Sequence, residues 1–251
     1  MFLEEKNLFS VALKNASPSV FFEYKNQKIT FADFFEHIGR ASTFLKSHNL
    51  KKDSLVLLNI QNPLDFLAVT FGCLSQGLVP CFLNSFFREA QISSLLEDNR
   101  YDLCITDLTS VSTSIKTEII NSQKILEQAP SDYTIPLNGK MVFYSSGSVQ
   151  IKACVLTLEN FFFNALGSHQ NIPFEAGDVW GASLPLFHVG GFSIFVRAIL
   201  NQGKVQWIEK DLPLVEQIQQ QKITHLSLVS TQFIRLIDEL KKTDAKLSHL
   251  K

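Results

Sequence analysis

The apolar run Met141-Val142-Phe143-Tyr144 stops at Ser145-Ser146-Gly147-Ser148, and a single lysine, Lys152, follows before the apolar run resumes. Backbone N–H groups and hydroxyls at the end of a buried strand can cradle an anion, and a nearby ammonium adds charge. Gly147 allows a positive φ and the close approach of a ligand. The chemistry this group supports is phosphate binding, through Ser145, Ser146, Gly147, Ser148 and Lys152. It is not a Walker A loop, which needs a second glycine directly before the lysine and Ser or Thr after it; here Ile151 precedes Lys152 and Ala153 follows. A polar hairpin turn uses the same residue types, so spacing alone leaves both readings open.

The elements that must position this loop alternate along the chain. Phe31, Phe34, Phe35, Ile38, Ala41, Phe44 and Leu45 form one helical stripe, with Thr30 as the expected N-cap and Asp33 in the first turn. The run at 54–60 has the continuous apolar character of a strand buried on both faces. Asn62-Pro63 then opens a second helix, which Gly77 should close. Strands are expected at 78–83, 102–106, 140–145, 178–186, 204–209 and 225–230. Helices are expected in the intervening 88–99, 157–171, 190–203, 213–222 and 231–242, with Thr157 as a cap. Residues 107–138 are polar and irregular, with room for one short strand. The fold class this implies is α/β, with parallel-rich sheets and crossover helices. The expected division is an N-terminal α/β subdomain over 1–138 and a second over 139–251, incomplete at its C-terminus.

Composition excludes several functions. Apolar residues make up 45% and charged residues 19% of the 251, a globular balance. The 23 basic residues against 24 acidic ones form no cluster, which argues against a nucleic-acid partner. Cys73, Cys81, Cys104 and Cys154 form no C-x-x-C pair and sit in apolar segments; they read as buried thiols of a reducing compartment, not a metal site. The N-terminus lacks a signal-peptide pattern and no apolar run reaches the roughly 18 residues of a membrane span. A cytoplasmic location is the expectation.

The stretch "YSSGSVQIKACVLT" resembles the phosphate-loop signature of the acyl-adenylate-forming enzymes, the family of acyl-CoA synthetases, peptide-synthetase adenylation domains and luciferases. "SLPLFHVGGF" (183–192) is similar to that family's next motif, and "NIQNPLDFLAVTFGCLSQGLVPCFLN" (59–84) to its N-terminal subdomain. Together with "HLSLVSTQFIRLI" (225–237), the second motif looks nearest the branch formed by the 2-succinylbenzoate–CoA ligases of menaquinone synthesis. The resemblance implies ATP, Mg2+ and coenzyme A as cofactor and co-substrates, and a small carboxylic acid as substrate. Ser145, Ser146, Gly147, Ser148 and Lys152 would then hold the ATP phosphates. His188 would stand between acyl pocket and nucleotide beside Gly190 and Gly191. Ser230, Thr231 and Gln232 would open a helix facing the substrate, and Arg197 would meet a second carboxylate. A packed histidine and a surface arginine are the alternatives for His188 and Arg197.

Two departures qualify what the resemblance implies. The loop is one residue short, and the family's Thr-Gly and Pro before the lysine are replaced by Val149, Gln150 and Ile151. A β-branched residue resists positive φ, so a weakened phosphate site is expected. Family members are also about twice this length, and their Mg2+-holding glutamate would lie in the part not matched, so no metal ligand is assigned. A degenerate, non-catalytic binding or interaction domain is therefore the second reading. Self-association into a homodimer through exposed apolar surface also stays open.

Overall fold

The structure is a computed structural model that describes residues 18–98, 101–107, 117–119, 122–146, 151–243 and 245–251. In chain order the elements begin with β1 (Val20–Tyr24), β2 (Gln27–Thr30), α1 (Phe31–Lys46), β3 (Leu55–Asn59), α2 (Pro63–Ser75) and β4 (Val79–Phe82). There follow α3 (Glu89–Asp98), β5 (Leu103–Thr106), β6 (Thr117–Ile119), α4 (Ser122–Leu126), β7 (Lys140–Ser146) and β8 (Ile151–Thr157). The last are α5 (Leu158–Asn171), β9 (Val179–Ala182), α6 (Val189–Asn201), β10 (Lys204–Trp207), α7 (Leu214–Gln220), β11 (His225–Leu226) and α8 (Ser230–Leu240).

The chain divides into two units, one of residues 33–161 and one of residues 1–32 with 162–251. This differs from a boundary at 138/139, because β7 pairs with β4 and carries β8 into the sheet of the earlier segments. The first of the two units holds a six-stranded sheet, order β6-β5-β3-β4-β7-β8. Its interior strands pair in parallel, as expected, and β8 closes one edge as the antiparallel partner of β7. Helix α2 shows why local sequence fixes the connections. Asn62 Oδ1 accepts from the amides of Leu64 and Asp65, and Pro63 occupies the first helical position. At its other end Gly77 takes φ +69°, its amide reaching the Leu74 carbonyl and that of Leu78 the Cys73 carbonyl, the paired bonds of a Schellman cap.

Phenylalanine fills this unit's core. Ring contacts link Phe66 to Phe82 and Phe82 to Phe143, with centroids 4.9 and 4.7 Å apart, and Phe143 to Phe161 at 5.5 Å. The stripe expected on α1 is buried throughout. On the sheet's second face Leu57, Cys81, Cys104, Val142 and Tyr144 cluster, and the hydroxyls of Tyr101 and Tyr144 share a hydrogen bond of 2.7 Å. Three cysteines are buried as expected, but Cys154 is exposed. The reason is β8: an edge strand whose central residues Lys152–Val155 are all exposed.

The other unit holds a five-stranded sheet, order β11-β9-β10-β1-β2. Strands β9, β10, β11 and β1 are mutually parallel, and β2 returns antiparallel to β1 through a turn at Lys25-Asn26, with φ of 48° and 64°. The β1–β2 hairpin was not among the expected elements. Phe195 of α6 packs on Phe22, 5.2 Å between centroids, and Ile208, Val215, Ile218, Ile223 and Leu236 form a second cluster under α7 and α8. Among the described residues, no helix is long and apolar enough to cross a membrane.

Candidate functional site

The serine group and Lys152 belong to the unit of residues 33–161. Strands β7 and β8 pair without a break from Lys140↔Thr157 to Ser146↔Ile151, so Ser145 stands directly opposite Lys152. Residues paired in this way project from the same face of a sheet. The Ser145 hydroxyl and the Lys152 side chain therefore emerge on one face where β7 ends and β8 begins, both exposed, and Ser145 Oγ also donates to the Lys152 carbonyl at 3.5 Å. Ile151 sits on the opposite face, packed on the cluster that contains Tyr144. Ser146 is placed by its backbone pairing alone, and Gly147 and Ser148 lie outside the described residues. The hairpin reading of this stretch and its anion-binding reading are thus compatible: the last paired residues of β7 and β8 put Ser145 and Lys152 on one face of the sheet.

His188, Gly190, Gly191, Arg197 and Ser230–Gln232 belong to the other unit. Strand β9 ends at Ala182, and the chain turns through Ser183–Phe187 into α6, with extended His188 at the N-cap. The turn is tight because Gly191 has no side chain: a Cβ there would lie 2.1 Å from the Pro185 carbonyl oxygen. Gly190 has more room, with Leu184 the nearest contact at 3.1 Å. His188 is exposed as a residue but its ring packs on Phe187, centroids 4.7 Å apart, and partial burial lowers its pKa. Burial thus favours the neutral imidazole, which can both donate and accept.

Gln232 joins this turn to the start of α8. Its Oε1 accepts from the Val229 amide at 3.0 Å and its Nε2 donates to the Ser183 carbonyl at 3.3 Å. Ser183 Oγ in turn donates to the Ser227 carbonyl at 2.6 Å. Ser230 and Thr231 occupy the first two positions of α8 and are exposed. Amides in a first helical turn have no intrahelical acceptor and favour an anion. The role of Gln232 as a brace between two segments was not visible in sequence, because its partners are backbone groups 3 and 49 residues away.

Arg197 lies on α6 nine residues beyond His188, which is about 13 Å along a helix axis. Its guanidinium rests over the Trp180 ring at 5.0 Å and donates to Asn164 Oδ1 at 3.0 Å. Nε is buried without an acceptor among the described residues, and burial lowers the pKa of the group. A hollow of about 520 Å³ opens beside it, lined also by Trp180, His225, Ser168, Asn171 and Ser227. Sequence reading missed His225 and Trp180. Trp180 Nε1 donates to Ser227 Oγ, and His225 stacks on Trp180 at 5.1 Å. His225 Nε2 donates to the Pro173 carbonyl at 2.9 Å, which leaves Nδ1 to accept from Thr224. Among the described residues no group of three or more His, Cys, Asp or Glu side chains could hold a metal ion, so no step through Mg2+ is derived from this chain.

Comparison with known proteins supplies the frame for these residues. The AMP-binding enzyme family matches residues 9–251. The 2-succinylbenzoate–CoA ligase of Bacillus pumilus (strain SAFR-032) is 24% identical over 234 residues, covering 89% of this chain and 48% of the relative. That of Bacillus subtilis (strain 168) is 23% identical over 226 residues, 86% of this chain and 46% of the relative. The chain thus spans about half the length of the curated relatives it matches. Among solved structures, O-succinylbenzoate coenzyme A synthetase from Bacillus subtilis, in complex with ATP and magnesium ion, superposes with a TM-score of 0.84 at 21% identity, covering 98% of this chain and 53% of that one. Apo MatB from Rhodopseudomonas palustris superposes at 0.83 with 18% identity, over 98% and 54%. These structural likenesses establish a common fold.

Proposed function

The chain belongs to the AMP-binding enzyme family, and from that membership we propose that it serves ATP-dependent activation of a carboxylic acid for transfer to coenzyme A. In such a reaction the carboxylate attacks the α-phosphorus of ATP, forming an acyl-adenylate as pyrophosphate leaves. The CoA thiol then displaces AMP to give the thioester. What the protein supplies is position and charge stabilisation.

The reading rests most on one observation, the register that sets Ser145 opposite Lys152 where β7 ends and β8 begins. Lys152 and the hydroxyl of Ser145 would contact phosphate oxygens, with Ser146, Gly147 and Ser148 completing the loop. His188, whose neutral form partial burial favours, would hydrogen-bond the acyl group, and Gly190 and Gly191 would let the backbone approach it. The first-turn amides of Ser230 and Thr231 would face a carboxylate or adenylate, with Gln232 holding that helix end in place. Arg197, beside its hollow, would take the second carboxylate of a diacid; 2-succinylbenzoate, the acid in the names of the relatives, carries two.

Isothermal titration of the chain with ATP and, separately, with 2-succinylbenzoate tests this. A hydrogen bond to a charged group contributes about 1.5–3 kcal/mol, so losing one weakens binding at least about tenfold. Lys152→Ala should weaken ATP by that factor and leave the acid untouched, and Arg197→Met should do the reverse. ATP binding indifferent to Lys152→Ala would remove the phosphate assignment.

One observation favours a second reading. Val149, Gln150 and Ile151 replace a hydroxyl, a glycine and a proline of the family's loop, and Ile151 is already paired in β8. A chain with this loop would bind nucleotide or acid without turning it over, and only an exchange assay separates the two.

A further inference from the structure

Tyr144 directly precedes Ser145 on β7, and side chains alternate along a strand, so its ring leaves the sheet on the face opposite to Ser145 and Lys152. There it enters the cluster of Leu57, Cys81, Leu95, Cys104 and Val142, where it is 4% exposed. Its hydroxyl meets that of Tyr101, 8% exposed, which arrives from the segment before β5, 43 residues away in sequence. The Tyr144 hydroxyl also hydrogen-bonds the Cys81 side chain, whose Sγ in turn donates to the Val79 carbonyl at 3.5 Å. The polar groups of this cluster thus satisfy one another in a chain that runs from Tyr101 through β7 to β4. Hydroxyls buried in apolar surroundings cost free energy unless they are paired. Two phenylalanines would fill the same space with nothing to satisfy.

What the hydroxyls add is a fixed register beside the loop. Strand β8 is an edge strand with Lys152–Val155 exposed, and at its loop end it meets the cluster through Ile151. A slip of one residue in β7 would turn Ser145 into the cluster and Tyr144 out of it. Tyr101 would then lose its partner, so the pair disfavours that slip. We infer that Tyr101 and Tyr144 are positioning residues for the phosphate loop: their paired hydroxyls lock the end of β7 to the cluster beneath it and hold Ser145 and Lys152 on the face where they meet phosphate. The inference deepens the ATP-binding reading and rests on it for its purpose, while the clamp itself is measurable without ligand.

The test is Tyr101→Phe combined with Tyr144→Phe in the 251-residue chain. The double substitution removes both hydroxyls and keeps both rings, so urea unfolding should find a stability close to that of the native chain. Tyr101→Phe alone, which strands the Tyr144 hydroxyl, should lower it. Hydrogen exchange is followed over Tyr144–Ser146 and Ile151–Ala153, and ATP affinity by isothermal titration. In the double variant, exchange there should quicken about tenfold with β3 unchanged, and ATP should bind about tenfold more weakly, roughly the loss of one contact to a charged group. Ser42→Ala, which removes a hydrogen bond to Ser75 outside this cluster, should lower stability and move neither local exchange nor ATP affinity. Unchanged exchange and ATP affinity in a stable double variant would overturn the inference, since a pair that serves only stability moves both readouts with it. Should the double variant not fold, Tyr101→Phe alone decides: exchange that quickens more over Tyr144–Ser146 than over β3 supports the clamp, and equal quickening overturns it. A native chain that fails to bind ATP counts against the proposed function alone, and the exchange result then decides the clamp.

Discussion

Single side chains in this molecule are held by partners far away in sequence, and that is where their titration is set. Burial lowers the pKa of His225, although its hydrogen bond to Pro173 and the nearby Asp178 act in the other direction. A histidine whose folded pKa lies below the unfolded value of about 6.5 binds its proton more weakly when folded. Its contribution to stability is complete above about pH 6.5 and is lost as pH falls toward the lowered pKa. The thermal midpoint should therefore drop on acidification below pH 6.5, and His225→Gln should flatten that part of the profile. The buried pair His37–Asp65, 3.0 Å apart with side chains 5% and 1% exposed, is likewise joined across 28 residues of sequence. Replacing Asp65 with Ala leaves His37 buried without this partner, and a loss of about 1–3 kcal/mol in urea unfolding is expected. Both aspartate and histidine were present in the sequence, but a pairing across 28 residues has no local signal.

At the scale of elements, legibility followed the locality of the forces. The α2 boundaries were readable because Asn62, Pro63 and Gly77 act on their own neighbours, and the α5 start because Thr157 and Asn160 cap each other reciprocally. The β1–β2 hairpin was missed: its turn residues Lys25 and Asn26 both take positive φ without the glycine that normally marks such a turn. Strand β11 shrank to two of the six residues expected, because Ser227 and Gln232 divert the chain into hydrogen bonds with Ser183 and α8. Of the candidate site, the loop and the turn at His188 were legible as residue types, whereas the hollow beside Arg197 was not, since its lining comes from α5, β9, α6 and β11. Asn62→Ala should cost about 1 kcal/mol through the lost cap, measured by urea unfolding. Gly191→Ala should cost more and displace His188, because its Cβ would collide with the Pro185 carbonyl; a shift of the His188 imidazole resonance would report it.

Taken as a whole, the 251 residues carry both sheets of the fold shared with O-succinylbenzoate coenzyme A synthetase, over about half that enzyme's length. Side chains expected to hold phosphate and those expected to hold the acid fall in separate units. The chain alone should show no ATP–pyrophosphate exchange with 2-succinylbenzoate above a Lys152→Ala control, and measurable exchange would restore full catalytic competence to the loop. The exposed edge strand β8 has one practical use here. Cys73, Cys81 and Cys104 are sealed in the core, with burial pushing the Cys81 thiol up to about 12 and that of Cys73 higher still, while Cys154 stands in solvent two residues from Lys152 and on the same side of the strand. A maleimide dye should couple at that one thiol without mutagenesis, giving the native molecule a reporter beside the proposed phosphate loop.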